Sequence, residues 1–351
     1  MPARPAIAIG YGGTIHTYNL CLLGLGNVNR ALVRLLQAKD DDLRQRGIGW
    51  RITGVASRRL GWLVNPDGFD PKLLTDSTRD TGAMTSVADL GKWLKAARAD
   101  VLLEATSLEP RTGQPAIDYI RAALAHGAHA ITANKGPVVH AYRELTELAA
   151  KRNKRFLFES TVMDGVPIFS MFRDSLPAVE VRGFRGILNS TTNVILSGIE
   201  QGLSFDQALK KAQDIGVAET DASHDIEGWD AAVKVAALVN VVMGTPIRID
   251  EVEREGISAL SAEVVRGARA HGKAYKLVCR ANRQNGKVQA SVRPEQLSVD
   301  DPLALVAGTS SIVYFETDMF PGLALLEVDP GVDATAYGML ADFVRAVASS
   351  E

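Results

Sequence analysis

Cysteine is nearly absent: Cys21 and Cys279 are the only two in 351 residues, and they stand far apart without metal-ligand spacing. A disulfide framework and a cysteine-based metal site are both excluded, and the pattern suits a reducing cytoplasm. No apolar run approaches the roughly 20 residues that a membrane-spanning helix needs. The greasiest stretch, residues 233–243, is broken by Lys234 and Asn240. Neither sign of charge dominates, since 39 basic and 41 acidic residues leave a net charge of -2. A polyanion-binding surface is therefore not expected, and neither nucleic acid nor membrane is an expected partner. The N-terminus carries Arg4 but no apolar segment followed by a small-residue cleavage site, so no signal peptide is expected. Repeats and low-complexity tracts are missing as well. What remains is a chain with 46 % hydrophobic residues, long enough for two domains with real cores.

The densest chemistry lies in residues 219–234, Glu-Thr-Asp-Ala-Ser-His-Asp-Ile-Glu-Gly-Trp-Asp-Ala-Ala-Val-Lys. From Gly228 onward the pattern predicts a helix that is apolar nearly all round, which is the signature of burial. Asp230 and Lys234 are four residues apart and share one face of it, acid first. On a surface helix such a pair is an ordinary solvated salt bridge of little consequence. Among Val233, Val235, Ala236 and Leu238, a lysine is costly unless it is paired or faces a polar cavity. That contrast marks the pair as a candidate site.

Two glycine-rich segments near the start compete for a phosphate-binding role. Residues 6–13 run into Thr-Ile-His-Thr-Tyr-Asn, which is no amphipathic helix. Residues 18–30 are the better candidate: an apolar strand enters Gly24-Leu-Gly26-Asn27-Val28 and then the helical pattern Val28, Leu32, Leu35, Leu36. Strand, glycines and helix in that order predict a dinucleotide fold, with the backbone close to a pyrophosphate at a helix N-terminus. Asn29 stands where the third glycine of that pattern would be. The next predicted strand, residues 50–57, ends in Arg58-Arg59 rather than in an acid. An acid would hold a ribose 2′-hydroxyl; arginine suits a 2′-phosphate, so the sequence leans to NADP, with NAD possible in principle.

Residues 61–85 read as a loop. Helices are predicted at 87–97, 115–126 and 141–152, alternating with strands at 100–107, 128–133 and 155–159. That alternation means a parallel sheet with crossover helices, whose ligands bind beyond the carboxyl ends of the strands. Thr106, Ser107, Asn134, Lys135 and Glu159 fall there. After Ser160 the grammar changes to α+β, with a hairpin around Asn285-Gly286 and a last helix at 334–348. The expected fold is thus α/β: an N-terminal Rossmann-like parallel sheet, residues 1–152 with the last helix returning to it, and a C-terminal α+β catalytic and dimerisation domain, residues 153–333.

Gly24-Leu-Gly-Asn-Val, Glu104-Ala-Thr-Ser, Thr132-Ala-Asn-Lys135, residues 159–168, Asn189-Ser-Thr-Thr-Asn and the spacing of Glu219, Asp225, Asp230 and Lys234 together resemble homoserine dehydrogenase over nearly the whole chain. The resemblance implies NAD(P)-linked interconversion of L-homoserine and L-aspartate 4-semialdehyde by a homodimer. It implies that Lys135 and Lys234 are the catalytic lysines, with Glu219 and Asp230 in the substrate pocket and Glu159 with main-chain oxygens of Val162, Asp164 and Val166 in a monovalent-cation loop, such as one for Na+. Asn29 and Met163-Asp164 depart from the family pattern.

Chemical reasoning gives these residues roles. Lys234 is expected to be the main acid/base, oriented by Asp230, with Lys135 as a second donor to the reacting oxygen. Its pKa is expected to be lowered by desolvation or a nearby cation, with Asp230 opposing the shift. Glu219 is the expected partner of the substrate ammonium, and Asn189, Thr191 and Asp225 complete the expected substrate pocket. Alternatives stay open at this point: a related dehydrogenase for another amino-acid semialdehyde, a non-catalytic NADP(H)-binding protein, or a divalent-metal hydrolase built on Asp221, His224, Asp225 and Glu227.

Overall fold

The computed structural model describes residues 14–75, 85–87 and 89–348; the glycine-rich residues 6–13 lie outside that set. In the first half β1 (His16–Leu23), β2 (Ile48–Ser57), β3 (Gly61–Val64), β4 (Thr85–Val87), β5 (Val101–Glu104), β6 (His129–Thr132) and β7 (Phe156–Leu157) form one sheet in the order β4-β3-β2-β1-β5-β6-β7. Strands β2, β1, β5, β6 and β7 run parallel. The antiparallel edge of β3 and β4 was not expected. Gly61, at a φ of +69°, turns the chain straight back along β2, and strands of four and three residues are too short to show a period.

Alternation along β1 sends its side chains into two cores. Leu20 and Leu22 pack with Leu32 and Leu36 of the Asn27–Ala38 helix and with Met339 and Phe343 of the Val332–Val347 helix. Cys21 and Leu23 face Leu102, Ile120 and Leu124 on the other side. The last helix of the chain therefore covers the first sheet, lying against the Asn27–Ala38 helix. It also presses on residues 159–165: a Cβ on Gly165 would meet the Ala334 carbonyl at 2.4 Å.

In the second half β8 (Val181–Ile187), β9 (Glu253–Arg254), β10 (Lys273–Gln284), β11 (Lys287–Ser298), β12 (Ser311–Thr317) and β13 (Leu323–Glu327) form a sheet in the order β13-β12-β8-β10-β11-β9. Its central pairs are antiparallel. The β10–β11 hairpin turns on Asn285 and Gly286, both at positive φ, as a two-residue turn requires. Helices Ser190–Glu200, Trp229–Val241 and Ala262–Ala270 pack against it. Lys276 of β10 is buried; its ammonium donates to Asn193 Oδ1 at 2.9 Å and to the Val306 carbonyl at 2.6 Å, and burial pushes it down to about 8 against the opposing charge of Glu200.

The two halves meet where the Trp229–Val241 helix packs on the Lys135–Lys151 helix. Asn240 fastens the contact, its amide donating to the Val139 carbonyl at 3.0 Å. The Lys135–Lys151 helix begins six residues before the expected start at 141. Asn134 caps it by accepting from the Gly136 N–H, and Pro137 sits in the first turn where no intrahelical donor is needed. A break at Ala141 hides this first stretch from the periodicity.

The turn after β1 is held from within. Gly24 has a φ of +85°, and a Cβ there would lie 2.5 Å from the Ala105 carbonyl. Asn29 is fully buried, and its amide donates to the carbonyls of Gly24 at 2.6 Å, Leu23 at 3.2 Å and Leu103 at 3.4 Å. The departure from the glycine pattern is therefore a clamp joining the ends of β1 and β5. Asn29→Ala strips these carbonyls of their donor and should destabilise the fold by about 1–3 kcal/mol in urea titration. A loss below about 0.5 kcal/mol, the range of a neutral surface change, would show that the clamp contributes nothing.

Candidate active site

A groove of about 870 Å³ runs along the carboxyl ends of β1, β2 and β5. Gly24, Gly26, Arg58, Arg59, Thr106 and Ser107 line it, together with Trp62 and Tyr119. This is the switch point of the sheet, since the chain leaves β1 toward β2 on one side and reaches β5 on the other. Gly26 precedes the Asn27–Ala38 helix, and a Cβ there would meet nothing within 4 Å. That open space at a helix N-terminus fits a pyrophosphate. Asn27 is exposed on the helix's first turn, while Val28 turns toward a neighbouring cavity. Arg58 and Arg59 are exposed just past β2.

Glu104, fully buried at the end of β5, shapes the rim. It accepts from the Thr106 N–H at 2.8 Å and from the hydroxyls of Thr106 and Thr132. Burial raises its pKa, and these donors oppose the shift. Asn134 reaches across from β6 to the carbonyls of Thr106 and Ser107, both at 3.3 Å. The adjoining cavity, about 210 Å³, shares Ala105 and Thr106 with the groove and is walled by Val28, Lys135, Val162, Asp164, Lys234 and Thr335.

Asp230 lies at the centre of the charge arrangement. One carboxylate oxygen is 3.2 Å from the Lys135 ammonium, and the other is 3.5 Å from that of Lys234. These side chains are only 18 %, 23 % and 17 % exposed for Lys135, Asp230 and Lys234. Burial alone would raise the Asp230 pKa, but the two lysines and the Asn189 amide outweigh it and hold the carboxyl well below the usual range. Lys234 also donates to the Leu188 carbonyl at 2.6 Å. Burial pulls its pKa down, yet Asp230, Asp164 and Asp225 together hold it above the ordinary lysine value. The expected lowering is thus corrected.

Asp225 sits one layer out. The Asn189 amide donates to it at 2.7 Å and to Asp230 at 3.2 Å, and the Thr191 hydroxyl donates to Asp225 at 2.9 Å. Burial and the Asp230 charge raise the Asp225 pKa. Asn189 also caps the Ser190–Glu200 helix. Glu219 stands apart, exposed and outside the residues that line the cavity.

Glu159 is buried, and its carboxylate is taken up by main-chain N–H groups and a guanidinium. It accepts from the N–H groups of Phe169 at 2.7 Å and Ser170 at 2.9 Å, with Arg345 at 3.4 Å. The Glu159 N–H in turn donates to buried Asp342 at 2.7 Å. The Val166 carbonyl accepts from Ile168 at 2.8 Å. Helix-capping and the last helix account for these groups, a use that residue order alone does not reveal. Among the described residues no group of three histidine, cysteine or acidic side chains is arranged to hold a metal.

Asp164 is the site residue whose setting the sequence least foreshadowed. It adopts the left-handed region at a φ of +43°, takes a hydrogen bond from the Thr335 hydroxyl and lines the cavity beside Lys234. Glu327 of β13 lies within hydrogen-bonding reach of it, pushed up to about 7 by burial and by the Asp164 charge. Met163-Asp164-Gly165 reads as an ordinary turn, and the link to Glu327 spans residues far apart in the chain.

Known proteins resemble this chain over nearly its full length. The family model described as homoserine dehydrogenase, NAD binding domain, matches residues 24–159, and the one described as homoserine dehydrogenase matches residues 167–344. An NAD(+)-dependent homoserine dehydrogenase of Pseudomonas canavaninivorans is 35 % identical over 336 residues, covering 93 % of this chain and 96 % of that protein. A homoserine dehydrogenase of Methanocaldococcus jannaschii is 32 % identical over 337 residues, covering 93 % and 98 %. Among solved structures, a putative homoserine dehydrogenase from Archaeoglobus fulgidus superposes with a TM-score of 0.84 at 29 % identity, covering 95 % of this chain and all of that one. A hyperthermophilic archaeal homoserine dehydrogenase mutant in complex with NADPH gives 0.80 at 28 % identity, covering 94 % and 98 %. The Rossmann-like half with its groove, the second sheet with its buried lysine helix, and these likenesses over nearly the full length lead to one conclusion: the chain belongs to the homoserine dehydrogenase family.

Proposed function

We propose that the chain interconverts L-homoserine and L-aspartate 4-semialdehyde, with Lys234 as the acid/base, Lys135 as a second donor and Asp230 as the group that positions both. The observation that carries this reading is a pair of lysines from two different helices, bracketing one buried carboxylate at the wall of a cavity continuous with a dinucleotide groove. A bound nicotinamide supplies or accepts the hydride. The protein's share is the proton and the charge. In the reducing direction the Lys234 ammonium donates to the carbonyl oxygen, and Lys135 offsets the developing negative charge. In the oxidising direction Lys234 must first lose its proton, which the surrounding carboxylates resist.

The start of the Ser190–Glu200 helix, capped by Asn189, carries the positive end of the helix dipole toward the two acids and supports a substrate-facing role for Asn189 and Thr191. Asn189 and Thr191 fix Asp225 beside it. Arg58 and Arg59, with no acid at the end of β2, support NADP as the preferred cofactor. A monovalent cation is left out of the proposal because the Glu159 carboxylate is engaged elsewhere. Exposed Leu326 and Val328 at the β13 edge, with Met319 nearby in sequence, support a homodimer. No helix of the described residues is long and apolar enough to cross a membrane. Both cysteines are buried and free, which suits a cytoplasmic setting.

The decisive assay follows NADPH absorbance with aspartate 4-semialdehyde, and then NADP and NAD separately with homoserine. Turnover is expected in both directions, with the lower KM for NADP. Lys234→Ala should cut kcat by at least about 10²-fold, and near-normal turnover of the folded variant would reject the assignment. Asp230→Asn removes the main charge that raises the Lys234 pKa. The acid limb of homoserine oxidation should therefore move to lower pH by about one unit or more; an unmoved limb would mean that another group takes the proton. Light scattering should report twice the chain mass, and a monomer would refute the dimer.

A further inference from the structure

The second half of the protein buries a lysine that takes no part in the chemistry above. Lys276 of β10 is 1 % exposed and shares a face of its strand with Val278, which belongs to a core with Ile187, Leu297 and Leu303. A methionine would fill such a space without the desolvation that an ammonium suffers. The use of a lysine at this point therefore lies in what its Nζ holds.

That nitrogen sits at a crossing of hydrogen bonds. It donates to Asn193 Oδ1 at 2.9 Å and to the Val306 carbonyl at 2.6 Å. Asn193, also 1 % exposed, carries the link onward, its amide donating to the carbonyls of Gly308 at 3.0 Å and Ser310 at 3.3 Å. The Ser190 hydroxyl adds a further tie to the Thr309 carbonyl at 3.0 Å. Residues 306–310 are thus fastened, carbonyl by carbonyl, to the start of the Ser190–Glu200 helix. Burial lowers the Lys276 pKa to about 8 against the charge of Glu200, with Arg269 adding to the fall, and a neutral amine still keeps two N–H groups for its two acceptors.

The same helix start carries the groups that touch the charged centre. Asn189, its cap, donates to Asp225 and Asp230, and Thr191 donates to Asp225. The preceding Leu188 carbonyl accepts from Lys234 itself at 2.6 Å. A shift of this turn would therefore move the partners of Asp230 and Lys234 together.

We propose that Lys276 is a positioning residue for the reaction: through Asn193 it locks residues 188–191 against residues 306–310 and so holds Asp230 and Lys234 in register. The assignment rests on the homoserine reading and extends it to a residue outside the cavity wall. Buried polar networks of this kind act as units, so the loss of one member is felt at the far end.

The test compares wild type with Lys276→Met, Asn193→Ala, the double variant and Val278→Ala, by homoserine oxidation kinetics, thermal melting and NADPH fluorescence titration. Val278→Ala opens a cavity in the same core and leaves the Lys276–Asn193 bond in place, so it reports what lost stability alone does. Lys276→Met should lower kcat roughly tenfold or more, the scale of a small misplacement of reacting groups, with KM changed less than kcat. The Kd of NADPH should stay within about twofold, because the groove belongs to the other half. The double variant should be worse than the poorer single variant by no more than about twofold, since the two residues act in series. Val278→Ala should melt earlier with kcat within about twofold of wild type. An unchanged kcat in Lys276→Met, losses that multiply in the double variant, or an equal fall in Val278→Ala at a matched loss of melting temperature would each overturn the proposal. So would a defect carried by KM alone. If Lys276→Met does not fold, Lys276→Gln takes its place: a fall in kcat beyond that of Val278→Ala supports the assignment, and no such fall overturns it. Wild-type protein inactive on homoserine would defeat the functional reading itself, and this assignment with it, an outcome distinct from an active enzyme indifferent to Lys276.

Discussion

A single carboxylate held between two ammonium groups is the constraint from which the rest of the site follows. Asp230 and Lys234 come from one helix and Lys135 from another, and the two helices belong to different sheets. Removing any member would leave a poorly solvated charge without its partner, which is far more costly than losing an exposed ion pair. The arrangement thus fixes how the halves of the protein sit at the point where chemistry is required. It also sets the protonation of Lys234, whose acidic neighbours favour the ammonium form. A positioned acid is the group that reduction of an aldehyde needs.

The remaining apparatus supplies rigidity around that point. Glu104 and Asn134 tie the ends of β5 and β6 together, and Asn29 ties β1 to β5. Each is a buried polar side chain whose hydrogen bonds go to backbone groups that would otherwise lack partners. The groove floor is accordingly a network rather than a set of independent loops. Asn189 does two things at once, capping a helix with its oxygen and binding two acids with its nitrogen.

Much of this was readable in the chain. The Trp229–Val241 helix announced itself because its apolar residues run all round it, so Asp230 and Lys234 could be singled out without knowing their neighbours. The β10–β11 hairpin was legible from Asn285-Gly286, and the capping box of the Phe205–Asp214 helix from Ser204 and Gln207. Where periodicity is short or interrupted, reading failed: β3 and β4 are too brief, and the Ala141 break concealed the first turn that carries Lys135. Groups whose partners lie far along the chain could not be placed for a different reason. Asn29 departs from a glycine pattern and Glu159 stands in the expected cation loop; their hydrogen bonds reach Leu103, Phe169, Ser170 and Arg345. Local pattern carries no information about such contacts, which only the closed fold creates.

The Val332–Val347 helix, packed on the Asn27–Ala38 helix, bears on how the protein is made. During translation the first sheet emerges early, yet Leu20, Leu22, Leu32 and Leu36 await Met339 and Phe343 to complete their core. Until some three hundred residues more have left the ribosome, that greasy surface stays open to solvent or to chaperones. Nucleotide-binding half and catalytic half must consequently mature together, because a helix from beyond the second sheet closes the core of the first.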